Sequence, residues 1–162
     1  MHITFETADQ TEAHALIAEL DAYLYSLYPA GSVYALDIAS LCQADVRFAI
    51  ARDRAGAALG CGAIVMKPGY GEIKRVYVRP QARAQGVASR LMAALEEAAA
   101  LSGRDCFMLE TGPPQTEALA LYTRLGYRHR GPFGDYPDDP YSIFMQKDAN
   151  QAEAGVSHAA PA

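Results

Sequence analysis

A strand that runs into a helix through a short loop of small residues constrains this fold more than any other segment. Residues 73–78 are rich in β-branched and aromatic side chains, which favour a strand. Pro80 ends that strand, because proline cannot donate a ladder hydrogen bond. A helical pattern begins soon after Gly86 and Ala88, whose small size lets a ligand approach the backbone. The free N–H groups at the start of that helix predict a site for an anion such as a pyrophosphate.

Two motifs in this half of the chain indicate a family. The loop Arg83-x-x-Gly86-x-Ala88 stands between the predicted strand and helix, and residues 118–127 read ALALYTRLGY. The first resembles the (Gln/Arg)-x-x-Gly-x-(Gly/Ala) loop with which GNAT N-acetyltransferases hold the pyrophosphate of acetyl-CoA. The second resembles their Ala-x-x-Leu-Tyr-x-x-x-Gly-Phe motif, with Tyr127 in place of Phe. The alternative for the loop is an ordinary strand–helix turn, but its position favours the family motif.

The periodicity along the rest of the chain predicts alternating strands and helices. Thr11 is expected to cap a first helix that ends near residue 27. The remaining elements are expected at residues 3–7, 36–43, 46–52, 59–66, 106–111, 116–125, 127–129 and 142–146. Their order, β-α-α-β-β-β-α-β-α-β-β, is that of the GNAT fold, and the resemblance covers about residues 3–147. It implies an α/β (α+β) domain whose mixed, mostly antiparallel sheet of six or seven strands is splayed between strands 4 and 5.

Length and composition limit the function classes. The 162 residues suit a single domain, expected over residues 1–148, with a mobile tail over residues 149–162. A net charge of −5 argues against nucleic-acid binding, and no apolar stretch is long enough to span a membrane. The isolated cysteines, Cys42, Cys61 and Cys106, are expected as reduced, packed thiols in a cytoplasmic protein. The scattered histidines give no metal spacing, so no metal is expected.

The resemblance implies acetyl-CoA as cosubstrate. In the family, pantetheine lies between the splayed strands and bonds to the backbone of the fourth strand. Here that backbone belongs to Val76, Tyr77 and Val78, and the N–H of Val76 or Val78 would polarise the thioester carbonyl. Their side chains can still face the core, because the proposed contacts use the main chain. The residues expected to contact the cosubstrate are Val76, Tyr77, Val78, Arg83, Ala84, Gln85, Gly86, Val87, Ala88, Ser89, Gln115 and Tyr122.

The same resemblance assigns the catalytic groups. Tyr122 is expected to protonate the leaving thiolate, which a phenol of pKa about 10 can do; the alternative is a core tyrosine. Two glutamates are candidate general bases: Glu110, at the end of the fifth strand, and Glu72, on the fourth. Glu110 is preferred because it should lie near the acetyl group. The alternatives are a solvated strand end for Glu72, a capping or ion-pair role for Glu110, and no dedicated base.

The acceptor site is expected between the first helix-loop-helix and the loop before the last strand. Aromatic walls with carboxylates fit a small amine with an apolar body. Plain turn chemistry is the alternative for the Pro- and Asp-rich loop. Arg75 is read either as orienting a substrate carboxylate or as pairing with one of the two glutamates. The candidate acceptor contacts are Tyr25, Tyr28, Tyr34, Arg75, Asp135 and Tyr136.

The leading hypothesis is therefore acetyl transfer from acetyl-CoA to the primary amine of a small molecule, by direct attack in a ternary complex. Protein N-terminal or lysine acetylation is the alternative, and it would need an open groove. A non-catalytic CoA-binding regulator is the alternative from another class. A homodimer is expected because relatives are often dimers. The acceptor amine, the acyl chain length and the oligomeric state are left open.

Overall fold

A seven-stranded mixed sheet organises the chain, in a computed structural model that describes residues 1–149. The strands are β1 (His2–Phe5), β2 (Val46–Arg52), β3 (Ala58–Lys67), β4 (Tyr70–Val78), β5 (Cys106–Thr111), β6 (Arg128–Arg130) and β7 (Ile143–Asp148). The helices are α1 (Thr11–Leu27), α2 (Ile38–Leu41), α3 (Val87–Leu101) and α4 (Thr116–Arg124). Short 3-10 turns cover Ala30–Ser32 and Pro80–Ala82. The strand order is β1-β2-β3-β4-β5-β7-β6, and only β4 and β5 pair in parallel, which confirms the predicted fold.

Helices cover both faces of the sheet. The buried residues of α1, which include Leu16 and Leu20, recur at three- and four-residue steps and pack with Ile50 and Cys61 on one face. Leu91 of α3 lies in the cluster on the other face. None of the helices described over residues 1–149 is both long and apolar enough to cross a bilayer.

Strands β4 and β5 separate along their length. Their pairing is limited to three registers, Gly71 with Phe107, Glu72 with Met108 and Ile73 with Leu109. Beyond that point β4 continues to Val78, while β5 pairs only with β7. The predicted splay is therefore present, and it begins immediately after Ile73.

A β-bulge at Arg75 accompanies the splay. In the β3–β4 ladder Tyr77 lies opposite Cys61 and Lys74 lies opposite Ala63, so Arg75 and Val76 together oppose the single residue between them. Arg75 adopts φ +60°, a left-handed conformation that is uncommon outside glycine. Because a bulge bends the strand that carries it, β4 turns at the point where its pairing with β5 ends.

Some predicted boundaries differ from the structure. Gln10, not Thr11, occupies the N-cap of α1, and Thr11 is its first residue. The second helix covers Ile38–Leu41, and it begins at Ile38 because the carboxylate of Asp37 accepts a hydrogen bond from the Ser40 N–H at 2.8 Å and caps its N-terminus. β1, β6 and β7 are each displaced by one or two residues from the expected ranges.

The predicted tail lies almost entirely outside the described residues. Ala149, the first residue assigned to it, donates its N–H to the carbonyl of Asp105 at 2.7 Å and is thus held at the end of the sheet. Residues 150–162 fall beyond the described part of the chain.

Candidate active site

The loop between β4 and α3 presents unpaired backbone N–H groups. Ala84 and Gly86 have φ values of +60° and +78°. The flanking amides are used, since Arg83 donates to the carbonyl of Pro80 and Arg90 to that of Gly86, but within residues 1–149 the N–H groups of residues 84–89 donate to no protein partner. A Cβ built on Gly86 would meet no atom within 4 Å, so the space before the loop is open. Left-handed residues next to a helix N-terminus form an anion cradle, and this cradle fits a diphosphate.

A cavity of about 430 Å³ leads from this loop into the splay. That volume lies within the range of small-molecule and cofactor sites. All of the predicted cosubstrate contacts except Gln85 line it, namely Val76, Tyr77, Val78, Arg83, Ala84, Gly86, Val87, Ala88, Ser89, Gln115 and Tyr122. Gln85 is exposed and turns its side-chain amide to the carbonyl of Gln81.

Two residues of α1 line this cavity without having been predicted. Leu20 and Tyr23 lie three positions apart and so share a helix face. The sequence shows that α1 is amphipathic, but it contains no signal that one end of its apolar face overhangs the splay.

The backbone of β4 faces the splay through alternate residues. The N–H of Arg79 donates to Leu59, on the β3 side, at 2.9 Å. Because successive strand N–H groups point to opposite edges, those of Val78 and Val76 are directed into the gap. The side chains of both valines pack in the core. The two interpretations of this segment in the sequence are therefore compatible.

Arg83 braces the loop against β4. Its Nε donates to the carbonyl of Val78 at 3.0 Å, and its guanidinium carbon lies 5.9 Å from the centroid of the Tyr77 ring. The arginine thus adds positive charge beside the open amides of the cradle, where it favours an anionic group.

A smaller cavity of about 90 Å³ lies on the far side of the splay. It shares Leu20, Val76, Gln115 and Tyr122 with the longer cavity, so the two meet at these side chains. The predicted acceptor residues that line it are Tyr28, Tyr34, Arg75 and Tyr136, and we name it the acceptor cavity after that prediction.

The structure does not bring two other predicted acceptor residues to this cavity. Tyr25 is 55% exposed on α1, and Asp135 is exposed in the loop before β7. Tyr25 follows the cavity residue Leu24 by one position, which turns it about 100° around the helix, whereas Tyr28 lies four positions on and shares the cavity face.

Glu110 lies at the splay and lines the acceptor cavity. Burial raises the pKa of its carboxyl to about 7, against the opposing effect of the nearby Lys74 ammonium. A carboxylate with this pKa exists in both protonation states near neutrality, so it can take up a proton there.

Tyr122 lies where the two cavities meet. Burial, with a smaller contribution from the negative charge of Glu110, raises the pKa of its phenol to about 12. Its ring packs edge-on against Tyr127, with the centroids 6.0 Å apart. Across the described residues 1–149, no hydrogen bond engages its hydroxyl. The phenol is therefore a protonated and available donor.

Glu72 occupies a different environment. It is buried and accepts a hydrogen bond from the Tyr136 hydroxyl at 2.6 Å, so it is not a solvated strand end. Lys74 donates to the same tyrosine oxygen at 2.6 Å and lies 3.5 Å from the Glu72 carboxylate. Glu72 does not line the acceptor cavity, where Glu110 stands. The fold thus separates the two candidate bases.

The loop over residues 131–142 borders the acceptor cavity through Tyr136. The Tyr34 hydroxyl donates to the Asp139 carboxylate at 2.7 Å, which ties this loop to the segment after α1. Gln115 donates its side-chain amide to the Tyr28 hydroxyl at 2.8 Å on the opposite wall. These contacts tie the loop and the segment after α1 to the walls of the acceptor cavity, which remains partly open to solvent.

The cysteines stand apart from this chemistry. Cys61 is buried, and burial raises the pKa of its thiol to about 12. No cysteine among residues 1–149 lines either cavity, and the same residues contain no group of three or more potential metal ligands. The site therefore offers no thiol to carry an acyl group.

Comparisons with known proteins agree on one family. The model of the Acetyltransferase (GNAT) family matches residues 13–127. The IAA acetyltransferase of Azospirillum brasilense is 45% identical over 147 residues, which cover 90% of this chain and 95% of that protein. A candidate acyl-CoA N-acyltransferase from Klebsiella pneumoniae subsp. pneumoniae MGH 78578 has a crystal structure that matches at 41% identity and a TM-score of 0.78, covering 91% of this chain and 97% of that one. An aminoglycoside 6'-N-acetyltransferase complexed with coenzyme A shares the fold at 17% identity and a TM-score of 0.71, over 92% of this chain and 97% of that one.

Proposed function

The chain belongs to the GNAT family of acetyltransferases and is an acetyl-CoA-dependent N-acetyltransferase, and we propose that it acetylates the primary amine of a small molecule by direct attack in a ternary complex. The observation that carries this proposal is the meeting of two cavities at Tyr122, with Glu110 in the smaller one. One cavity takes the thioester and the other takes the amine, so both reactants can be held together before bonds change.

The donor would be held by main-chain groups. The N–H groups of residues 84–89 donate hydrogen bonds to the diphosphate, and Arg83 adds positive charge beside them. The pantetheine arm lies along the free edge of β4, where the N–H of Val76 or Val78 polarises the thioester carbonyl. Gln115, on the wall shared by the two cavities, contacts the arm near its sulfur.

Proton transfers would then use two side chains. Glu110 takes a proton from the amine as its nitrogen attacks the thioester carbonyl carbon, forming the C–N bond. The C–S bond breaks, and Tyr122 gives its proton to the departing thiolate, which leaves as CoA thiol. Glu72, behind Tyr136, keeps the acceptor wall in place and takes no part in these transfers.

The dimensions of the acceptor cavity favour a small molecule over a protein. A volume of about 90 Å³ bordered by this loop favours a small acceptor over a peptide chain. The relative from Azospirillum brasilense is named an IAA acetyltransferase, which supports a small-molecule acceptor without identifying an amine. The absence of a cysteine from the cavity walls over residues 1–149 favours direct transfer over a covalent acyl-enzyme.

Replacing Tyr122 with Phe tests the proposal. We expect kcat for thiol release in the presence of amines to fall by about 100- to 10,000-fold, the range for loss of a general acid, with little change in acetyl-CoA affinity. Tyr127→Phe is the matched control, because it removes a phenol that packs beside Tyr122 and bonds to Glu96 outside the cavities. Unchanged turnover in Tyr122→Phe would exclude this acid, and acetyl-CoA binding without turnover of any amine by the wild type would favour the regulator.

A further inference from the structure

We propose that the acceptor bears a carboxylate, which binds the buried guanidinium of Arg75 while its amine faces Glu110; this assignment rests on the function proposed above. It makes the substrate class a compact amino acid or another small amine that carries a carboxylate.

Arg75 has hydrogen-bond donors that the protein only partly pairs. Its side chain is 2% exposed and lines the acceptor cavity. One terminal nitrogen donates to the Asp21 carboxylate at 2.6 Å. Nε and the other terminal nitrogen are buried and have no partner within residues 1–149. Buried polar atoms are nearly always paired, so these two nitrogens indicate a hydrogen-bond acceptor that arrives with a ligand.

The local backbone explains why this arginine faces the acceptor side. In a regular strand, side chains alternate, and Arg75 would follow Ile73 to the α3 face. The bulge adds one residue to β4, and Arg75, at φ +60°, instead reaches Asp21 on α1. A strained conformation at a functional site is expected to have a role, and here it places the guanidinium beside Asp21 at the wall of the cavity.

Of the charged residues in the cavity, Arg75 is the one suited to bind an anion. Lys74 is already engaged by the Tyr34 carbonyl, the Tyr136 hydroxyl and the Glu72 carboxylate. Glu110 suits an amine, because its carboxylate accepts protons. A molecule with an amine and a carboxylate therefore complements Glu110 and Arg75 at the same time.

The volume and the lining of the acceptor cavity restrict the substrate class further. A volume of about 90 Å³ favours a compact molecule, and the apolar side chains of Leu20 and Leu24 and the ring of Tyr28 line the cavity. Arginine binds carboxylates through charge-assisted hydrogen bonds, which are stronger than neutral ones. Loss of the carboxylate would leave two buried N–H donors of Arg75 without an acceptor, and that is a basis for discrimination.

The test compares matched acceptors in a thiol-release assay. Each proteinogenic amino acid is tested beside its uncharged primary amide, and 4-aminobenzoate beside 4-aminobenzamide. For the preferred acceptor, we expect wild-type kcat/KM to exceed that of its amide by about 100-fold or more. Arg75→Gln should bring this ratio close to one through a rise in acceptor KM, with the KM for acetyl-CoA unchanged, and Arg75→Lys should retain part of the preference.

Controls separate this role from a structural one. Arg47→Gln removes an exposed arginine of β2 and should keep the wild-type ratio. Circular dichroism checks that Arg75→Gln folds; Asp21, 41% exposed, remains hydrated once it is unpaired. Wild-type use of amides as readily as acids would overturn the inference and leave the proposed function standing. So would an effect of Arg75→Gln confined to acetyl-CoA.

A binding measurement covers the case in which no amine is acetylated, which would refute the proposed function. The same acids are then titrated calorimetrically into the CoA-loaded protein. Binding that is lost in Arg75→Gln and kept in Arg47→Gln would support the carboxylate site. Absence of binding, or binding that does not depend on Arg75, would overturn it.

Discussion

Replacing Glu110 with Gln changes stability and activity in ways that the structure predicts separately. The rise in the pKa of this carboxyl from 4.5 to about 7 is caused first by burial. At about 1.36 kcal/mol per pKa unit, keeping it ionised in the folded state costs about 3 kcal/mol. An amide of nearly the same shape avoids that cost, so we expect Glu110→Gln to stabilise the protein at pH 8 by about 1 to 3 kcal/mol.

The stability difference between the wild type and Glu110→Gln should depend on pH. Below about pH 4.5 both folded and unfolded states hold the proton, and the carboxyl has no differential effect. Between that pH and about pH 7 the unfolded state releases the proton first, so wild-type stability falls as pH rises. The advantage of Glu110→Gln should therefore be near zero at pH 4 and complete at pH 8. Urea unfolding at the two pH values measures it, and the difference between them cancels packing effects of the substitution.

Glu110→Gln should lower the activity although it raises the stability. With an aromatic amine that is uncharged over the assay range, wild-type kcat/KM should rise with pH through about 7, and Glu110→Gln should lose this rise together with about 100- to 10,000-fold in kcat. Glu97→Gln, at an exposed position of α3, is the control for both measurements. An equal stability change at pH 4 and pH 8 would refute the buried carboxylate. A retained pH rise in the variant would refute its role as base.

Two further predictions concern the donor loop and the acceptor wall. Gly86→Trp should weaken CoA binding at least 10-fold in calorimetry, because the new side chain fills the cradle. Gly56→Trp, at φ +88° in a turn, carries similar backbone strain and should keep the affinity for CoA. Equal CoA affinity in the two variants would contradict the loop assignment. Tyr136→Phe should lower the free energy of unfolding by about 1 to 3 kcal/mol and raise the acceptor KM, because Lys74 and Glu72 lose their shared hydroxyl. Tyr141→Phe, at an exposed loop position, should do neither in urea unfolding and steady-state kinetics.

Local sequence patterns were sufficient for the order of elements and for the position of the loop between β4 and α3. The run from residue 73 to Ala88 combines strand-forming side chains, a proline stop and small residues before a helix, and each of these acts on its immediate neighbours. The structure has the strand, the loop and the helix in that order, and the loop amides lack protein partners within residues 1–149. The start of α2 shows the limit of such patterns, because the Asp37 cap begins the helix at Ile38, two residues later than expected.

The contacts around the acceptor cavity could be identified only from the folded chain. Its decisive contacts join residues far apart in sequence: Arg75 to Asp21, Tyr136 to Glu72, and Tyr34 to Asp139. No local signal relates such pairs, and so the sequence left Glu110 and Glu72 as alternatives and included Tyr25 among the acceptor residues.

The sequence by itself determined the order of strands and helices and the position of the small-residue loop before α3, because backbone propensity and side-chain periodicity act over a few residues. Only the tertiary structure decided that β4 leaves β5 after Ile73, that a bulge turns Arg75 toward α1, and that Glu110 instead of Glu72 enters the cavity. Burial and hydrogen-bond partners are properties of the packed chain, and they set the pKa and the accessibility of each of these groups.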